Sequence, residues 1–327
     1  MEQIVIKPIA VLVSDLHYTL NTLELADTAL RTALQKAKEL DVPLIIAGDT
    51  LDSKSIIRAE CANRLITTLK SSKVKTFTIV GNHDRINEKS SEHSLNFLEE
   101  YTTVINSTFS VDNVWLLAYQ HDKQYITDAL KVIPHNDIVI MHQGVQSAYM
   151  GHYIQDKTSL PLDAFKNHRV ISGHYHRAQD LGTVSYIGNP YTLSFGEAND
   201  GPKGYAVLYS DGSMERIPLN LRKHVVIDTS IDELSNLTNN TRPIDLVLLK
   251  IKGNRHDLQN LSLHEVRKKF AQPIKIDLIP TDQNVGHTTS NIVQSDAEIL
   301  DKVIDTTSKD PNEVALLKKH WRLLLEV

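Results

Sequence analysis

Between Ile9 and Asp84, apolar runs of strand length alternate with longer stretches whose apolar residues recur every three or four positions. "IAVLVSD", "PLIIAGD" and "TFTIVGN" read as strands, with helices over Asn21 to Leu40 and Ser55 to Leu69 between them, in βαβαβ order. Leu23, Ala26, Leu30, Ala33, Leu34 and Ala37 fall on one stripe of the first helix, which predicts a face against a core. Further strands are predicted at 114–120, 137–143, 169–176 and 184–190. "GYAVLYS" and "SMERIPL" flank Asp211-Gly212, the signal of a tight hairpin.

After about Leu221 the pattern becomes strand ("HVVIDTS"), strand ("PIDLVLLKIKG"), helix ("LSLHEVRKKF") and strand ("IKIDLIP"), a small separate α+β domain over 222–280. The polar stretch 281–291 reads as a linker. Beyond it Asp310, Pro311 and Glu313 form a helix-start signal, and Val314, Leu317, Trp321 and Leu324 an apolar stripe. This stripe is expected to bind a partner through helix-in-groove recognition, the alternative being packing on the protein's own core.

Composition narrows the setting. With 327 residues, 41% hydrophobic and 23% charged, the chain can bury a sizeable core and carry small attachments. A net charge of -5 and a pI near 6.3 exclude wholesale attraction to nucleic acid but leave room for a local basic surface. The single cysteine, Cys61, lies in an amphipathic stretch and is expected to be a packing residue. No apolar run is long enough for a membrane span or signal peptide, so a cytoplasmic setting is expected.

The chemistry lies at the strand ends. They finish in Asp15-Leu16-His17, Gly48-Asp49, Gly81-Asn82-His83-Asp84, His142 and Gly173-His174-Tyr175-His176. In an α/β sheet the carboxyl ends of strands are where ligands bind. Seven of these groups divide between two divalent ions if one carboxylate bridges: Asp15, His17, Asp49 and His176 for the first, Asp49, Asn82, His142 and His174 for the second. Mixed oxygen and nitrogen donors suit Mn²⁺, Fe²⁺ or Zn²⁺ better than Mg²⁺. Extended backbone would point Asp15 and His17, or His174 and His176, the same way, with Gly48, Gly81 and Gly173 allowing tight turns. His83, free of ligation, is expected to contact a phosphate and protonate the leaving alkoxide, with Asp84 behind it accepting its imidazole N–H. Asp52 either orients a ligand or caps the following helix. The reaction class is phosphate ester hydrolysis assisted by two metals.

This motif set resembles the calcineurin-like metallophosphoesterase superfamily over residues 9 to about 210. "YIGNPYTLSFGE" followed by "KGYAVLYSDG" is similar to the segment after the last metal motif of SbcD-type DNA repair nucleases. The length, small domain and helical tail are most like the recombination endonuclease subunit of T-even-type bacteriophages. The resemblance implies an α/β fold: a four-layer β-sandwich flanked by helices (1–221), a capping domain (222–280), and a linker with an ATPase-binding tail (281–327). It implies a DNA exonuclease and endonuclease acting with two divalent ions, Mn²⁺ above others. It further implies a homodimer, for which 21–40 and 91–100 are candidate helical surfaces, partnered by an SbcC-type coiled-coil ATPase in the cytoplasm, the host's if phage-encoded. Many relatives have histidine where this chain has Asp52. Lys54, Arg58, Arg85, Lys89, Arg177 and Lys203 are candidate phosphate contacts. The competing readings are a small-nucleotide phosphodiesterase or phosphatase of the same superfamily and a non-catalytic scaffold.

Overall fold

The computed structural model describes residues 5–54, 56–87, 89–151 and 154–282. In chain order the regular elements are β1 (Pro8–Val13), α1 (Leu23–Leu40), β2 (Leu44–Ala47), α2 (Ala59–Ser72), β3 (Thr76–Ile79), β4 (Thr103–Ile105), β5 (Thr108–Val111) and β6 (Val114–Leu117). There follow α3 (Lys123–Val132), β7 (Ile138–His142), β8 (Arg169–Gly173), β9 (Gln179–Leu181), β10 (Val184–Tyr186), β11 (Gly204–Tyr209) and β12 (Met214–Pro218). The last are β13 (His224–Ser230), β14 (Leu246–Gly253), α4 (Arg255–Gln259), α5 (Leu263–Arg267) and β15 (Ile274–Pro280).

Two six-stranded sheets stack, in the orders β12-β11-β1-β2-β3-β4 and β5-β6-β7-β8-β10-β9. The runs β1-β2-β3-β4 and β6-β7-β8-β10 are parallel, so their carboxyl ends emerge on one side of each sheet. Strand alternation joins the layers: Ile138 and Ile140 of β7 face the core shared with the first sheet, while Val139 and Met141 face Ile126 and Leu130 of α3. On the other side Ala26, Leu30, Ala33, Leu34 and Ala37 of α1 are buried against the first sheet, as the stripe predicts. Asp41 then ends α1 in a left-handed conformation, its N–H turned back to Ala37 and Lys38 carbonyls. The layers are helix, sheet, sheet, helix.

The segment 222–280 forms a parallel three-stranded sheet, β13-β14-β15, with its own cluster of Leu234, Val247, Leu249, Ile251, Leu258, Val266 and Phe270. The helix expected at 261–270 is present as the shorter α5, and a further short helix, α4, precedes it. The expected helix over 91–100 is absent, leaving a 3-10 turn at Asn96–Leu98. There the Ser94 backbone N–H is committed to the Asp84 carbonyl and its hydroxyl to Lys54. The chain divides into two compact units, Met1–Pro280 and Thr281–Val327. The tail helix expected around Asp310 to Leu324 lies outside the described residues.

Candidate metal centre

Four residues at the strand tips, Asp15 (φ 55°), His17 (φ 45°), Asp49 (φ 49°) and His174 (φ 88°), are left-handed. Each such non-glycine residue costs on the order of 1 kcal/mol and persists only where its surroundings hold it. Here the loops hold one another: Asp15 N–H donates to Gly48 O and His17 N–H to Asp49 O, both at 3.1 Å. The donors are therefore aimed by curled backbone, not by the extended alternation expected for Asp15/His17 and His174/His176. Of the three glycines, only Gly48 has a left-handed φ, +93°. Gly81 and Gly173 serve close approach instead, since an added Cβ would lie 2.2 Å from Asp49 Oδ1 and 2.0 Å from Ser14 Oγ respectively.

The seven expected donors come together in two groups. In one, His17 Nε2 lies 3.1 Å from His176 Nε2, and Asp15 Oδ1 3.8 Å from that same nitrogen. In the other, His142 Nε2 lies 3.1 Å from both Asp49 Oδ2 and Asn82 Oδ1, and His174 Nδ1 2.8 Å from Asn82 Oδ1. Asp49 Oδ2 also stands 3.9 Å from His17 Nε2, between the groups. Asp15–His17–His176 and Asp49–His142–His174 each have donor atoms within 4.8 Å of one another, as does a third trio, His17–Asp52–His83.

The remaining imidazole nitrogens set which atom faces the centre. His142 Nδ1 is 2.8 Å from Ala47 O, so it carries the proton and leaves Nε2 as donor. His176 Nδ1 rests on Glu197 at 2.8 Å, and His17 Nδ1 stands 3.2 Å from Asp52 Oδ1. Asp52 thus stands beside the far nitrogen of a candidate ligand and does not cap α2, which starts later, at Ala59, from Arg58. Burial works against charge on His142, yet the Asp49 carboxylate beside it pushes its pKa up to about 9. Burial would raise Asp49 as well, but His142 and His17 hold it well below the carboxylate range. Burial and charged His142 bring His174 down to about 4. Asp49 thus demands positive charge at the point where the donors converge. A divalent ion answers that demand, and the mixed nitrogen and oxygen set fits one in each group.

Asp84 departs from expectation. Its buried carboxylate accepts backbone N–H groups of Thr50, Leu51 and Gly81 at 3.2, 2.9 and 2.9 Å, tying two site loops together. It does not face the His83 ring, whose Nδ1 is 2.7 Å from Asp52 O. Burial, with Asp49 nearby, raises Asp84 to about 6 against these hydrogen bonds. Two expected phosphate contacts are also structural. Arg85 is buried on Tyr119 O and Ser90 O, and Lys203 is buried between Asp200, Glu197 and His176 O. His168 is buried, with Nε2 3.2 Å from Leu130 O.

Glu197 carries no assigned role in the sequence reading. Besides His176, it accepts from Asn189 Nδ2 at 2.9 Å and Leu193 N–H at 3.0 Å, so its carboxylate is fixed from several sides. A ligand histidine's far nitrogen needs a partner, and "FGE" in the segment after His176 was the available signal.

A family model for calcineurin-like phosphoesterases matches residues 10–178. A provisionally named phosphoesterase, 244L of Invertebrate iridescent virus 6, is 24% identical over 271 residues, 74% of this chain and 93% of that protein. Exonuclease subunit 1 of Enterobacteria phage T4 is 27% identical over 195 residues, 54% of this chain and 56% of its own length. Among solved structures, a Pseudomonas putida nuclease, MPE, is similar at 15% identity and a TM-score of 0.33, over 62% of this chain and 84% of that one.

Proposed function

Because the chain belongs to the calcineurin-like phosphoesterase family, we propose that it is a Mn²⁺-dependent DNA nuclease, cutting phosphodiester bonds at a two-metal centre as exonuclease and endonuclease. The observation that carries this reading is the meeting of donors from both sheets around Asp49 Oδ2, 3.1 Å from His142 and 3.9 Å from His17. Asp15, His17, Asp49 and His176 would hold one ion, and Asp49, Asn82, His142 and His174 the other. When bound, the pair supplies Lewis-acid activation and neutralises charge on the phosphate.

The chain's own groups do the rest. His83 Nδ1 donates to Asp52 O, which fixes the ring and leaves Nε2 for substrate. In the doubly protonated form that nitrogen hydrogen-bonds a phosphate oxygen and gives its proton to the leaving alkoxide, a contribution of about 10²- to 10⁴-fold. Asp84 acts by fastening the loops that present Asp49 and Asn82. Glu197 and Asp52 steer His176 and His17.

The similarity to a T4 exonuclease subunit supports DNA as substrate and work within a complex. In this reading residues 1–221 are the nuclease domain and 222–280 a cap that gates DNA. Residues 281–327 are a linker and tail for a coiled-coil ATPase, and the protein dimerises in the cytoplasm, the host's if phage-encoded. Among the described residues no helix is long and apolar enough to cross a membrane.

Digestion of linear and hairpin DNA with Mn²⁺, beside hydrolysis of a cyclic nucleotide, tests the substrate. DNA cleavage that falls steeply with salt is expected. Turnover of the cyclic nucleotide alone would favour a small-nucleotide phosphodiesterase. His83→Ala should bind manganese as the parent does and cleave at least 10²-fold more slowly; an unchanged rate would remove His83 from the chemistry.

A further inference from the structure

A cleft of about 300 Å³ is lined in part by Asp52, the residue that touches both His83 and His17 of the candidate centre. Its floor is Tyr18 and Leu51, both 3% exposed, and its rim carries Leu20 and Ile56, 51% and 57% exposed, with Asn21 and Arg58 at the edge. Asp52 forms the wall shared with the centre: its carbonyl oxygen lies 2.7 Å from His83 Nδ1 and its carboxylate 3.2 Å from His17 Nδ1. We propose that this cleft is a nucleoside subsite, taking the base and sugar attached to the leaving oxygen of the scissile phosphate.

The proposal rests on the reading of His83 as the group beside that oxygen, and deepens it. A group leaving past His83 meets Asp52, and Asp52 is also part of the cleft's lining. Its volume lies at the lower end of small-ligand sites, ample for one nucleoside. The apolar side chains of Tyr18, Leu20, Leu51 and Ile56 in its lining suit the hydrophobic face of a base. Asn21 and Ser53 in the lining offer an amide and a hydroxyl to base edges, and Arg58 offers a cation to the next phosphate. The Asp52 carboxylate disfavours a phosphate inside the cleft and accepts a base N–H. Two large aliphatic side chains held half bare against water are thereby given an occupant.

Two dinucleotides test this with the full-length protein in Mn²⁺, one abasic on the leaving side and one abasic on the retained side, beside bis(p-nitrophenyl) phosphate. Loss of the leaving-side base should lower kcat/KM about tenfold or more, and loss of the other base far less. In Leu20→Ser/Ile56→Ser, exposed positions that the fold tolerates, the ratio between base-bearing and leaving-side abasic substrates should fall to about one. Equal wild-type kcat/KM for both abasic dinucleotides would overturn the subsite, provided bis(p-nitrophenyl) phosphate is turned over. Were no ester turned over, the phosphodiesterase reading itself would have failed. The subsite is then judged by metal-free titration with dinucleotides carrying 2-aminopurine on either side. One placement should show fluorescence quenching that the double variant weakens about tenfold; quenching unaffected in both placements would overturn the proposal.

Discussion

Glu197 holds the far nitrogen of His176 at 2.8 Å, and the other carboxylate oxygen is spoken for by Asn189 and Leu193. Glu197→Ala should therefore weaken manganese binding by about 10- to 100-fold, with Glu197→Gln recovering part of the loss, as read by calorimetric titration. Equal affinity in all three proteins would make Glu197 a packing residue. Gly81→Ala should cost about 1–3 kcal/mol and lower Tm, because the new methyl would sit 2.2 Å from Asp49 Oδ1 and 2.3 Å from its backbone nitrogen. An unchanged Tm would mean that the loop yields freely. At this scale the identities of the converging donors were legible, because histidine, aspartate and asparagine at strand ends are chemically conspicuous. Their aim was not: the left-handed φ of Asp15, His17, Asp49 and His174 depends on hydrogen bonds between loops distant in sequence. The partner of His83 escaped for the same reason, since it is the backbone carbonyl of Asp52, which every residue type offers.

Long elements with a dense apolar period could be read directly, and α1 is the plainest case, with its alanines and leucines packed on the sheet. By contrast α3 has only Ile126 and Leu130 buried, a stripe too sparse to stand out, although the Asp122 side chain caps it by accepting from Gln124. Strands β4, β5 and β9 have three or four residues each and draw their pairing from neighbours. Between elements, Asp156 anchors the loop beside Tyr175, accepting from the Tyr175 hydroxyl and from Thr158 and Ser159 N–H groups. Burial would raise its pKa, but these hydrogen bonds hold it at about 2. A carboxylate depressed in the folded state stabilises above its unfolded pKa, near 3.9, and loses that contribution as pH falls through the folded value. Asp156→Asn should thus cost roughly 2 kcal/mol at pH 7 and flatten the fall of Tm between about pH 4 and pH 2. Parallel Tm profiles for the two proteins across that window would contradict the anchor.

For the molecule as a whole, the order of strands and helices made the βαβαβ run of the first sheet legible, while the layered sandwich was implied by the family resemblance and not by the pattern. The net charge of -5 says that any hold on a polyanion is local, and burial of Arg85 and Lys203 removes two of the residues that would supply it. Deleting residues 281–327 should abolish association with the coiled-coil ATPase while Mn²⁺-dependent cleavage survives; undiminished association would place the docking surface elsewhere. The proposed nuclease chemistry turns on whether the strand tips hold a pair of cations with Asp49 between them, and anomalous diffraction at the manganese edge from soaked crystals addresses that directly. A two-cation centre predicts two peaks about 3.5 to 4 Å apart, one beside Asp15, His17 and His176, the other beside Asn82, His142 and His174. A single peak, or none at saturating manganese, would contradict it.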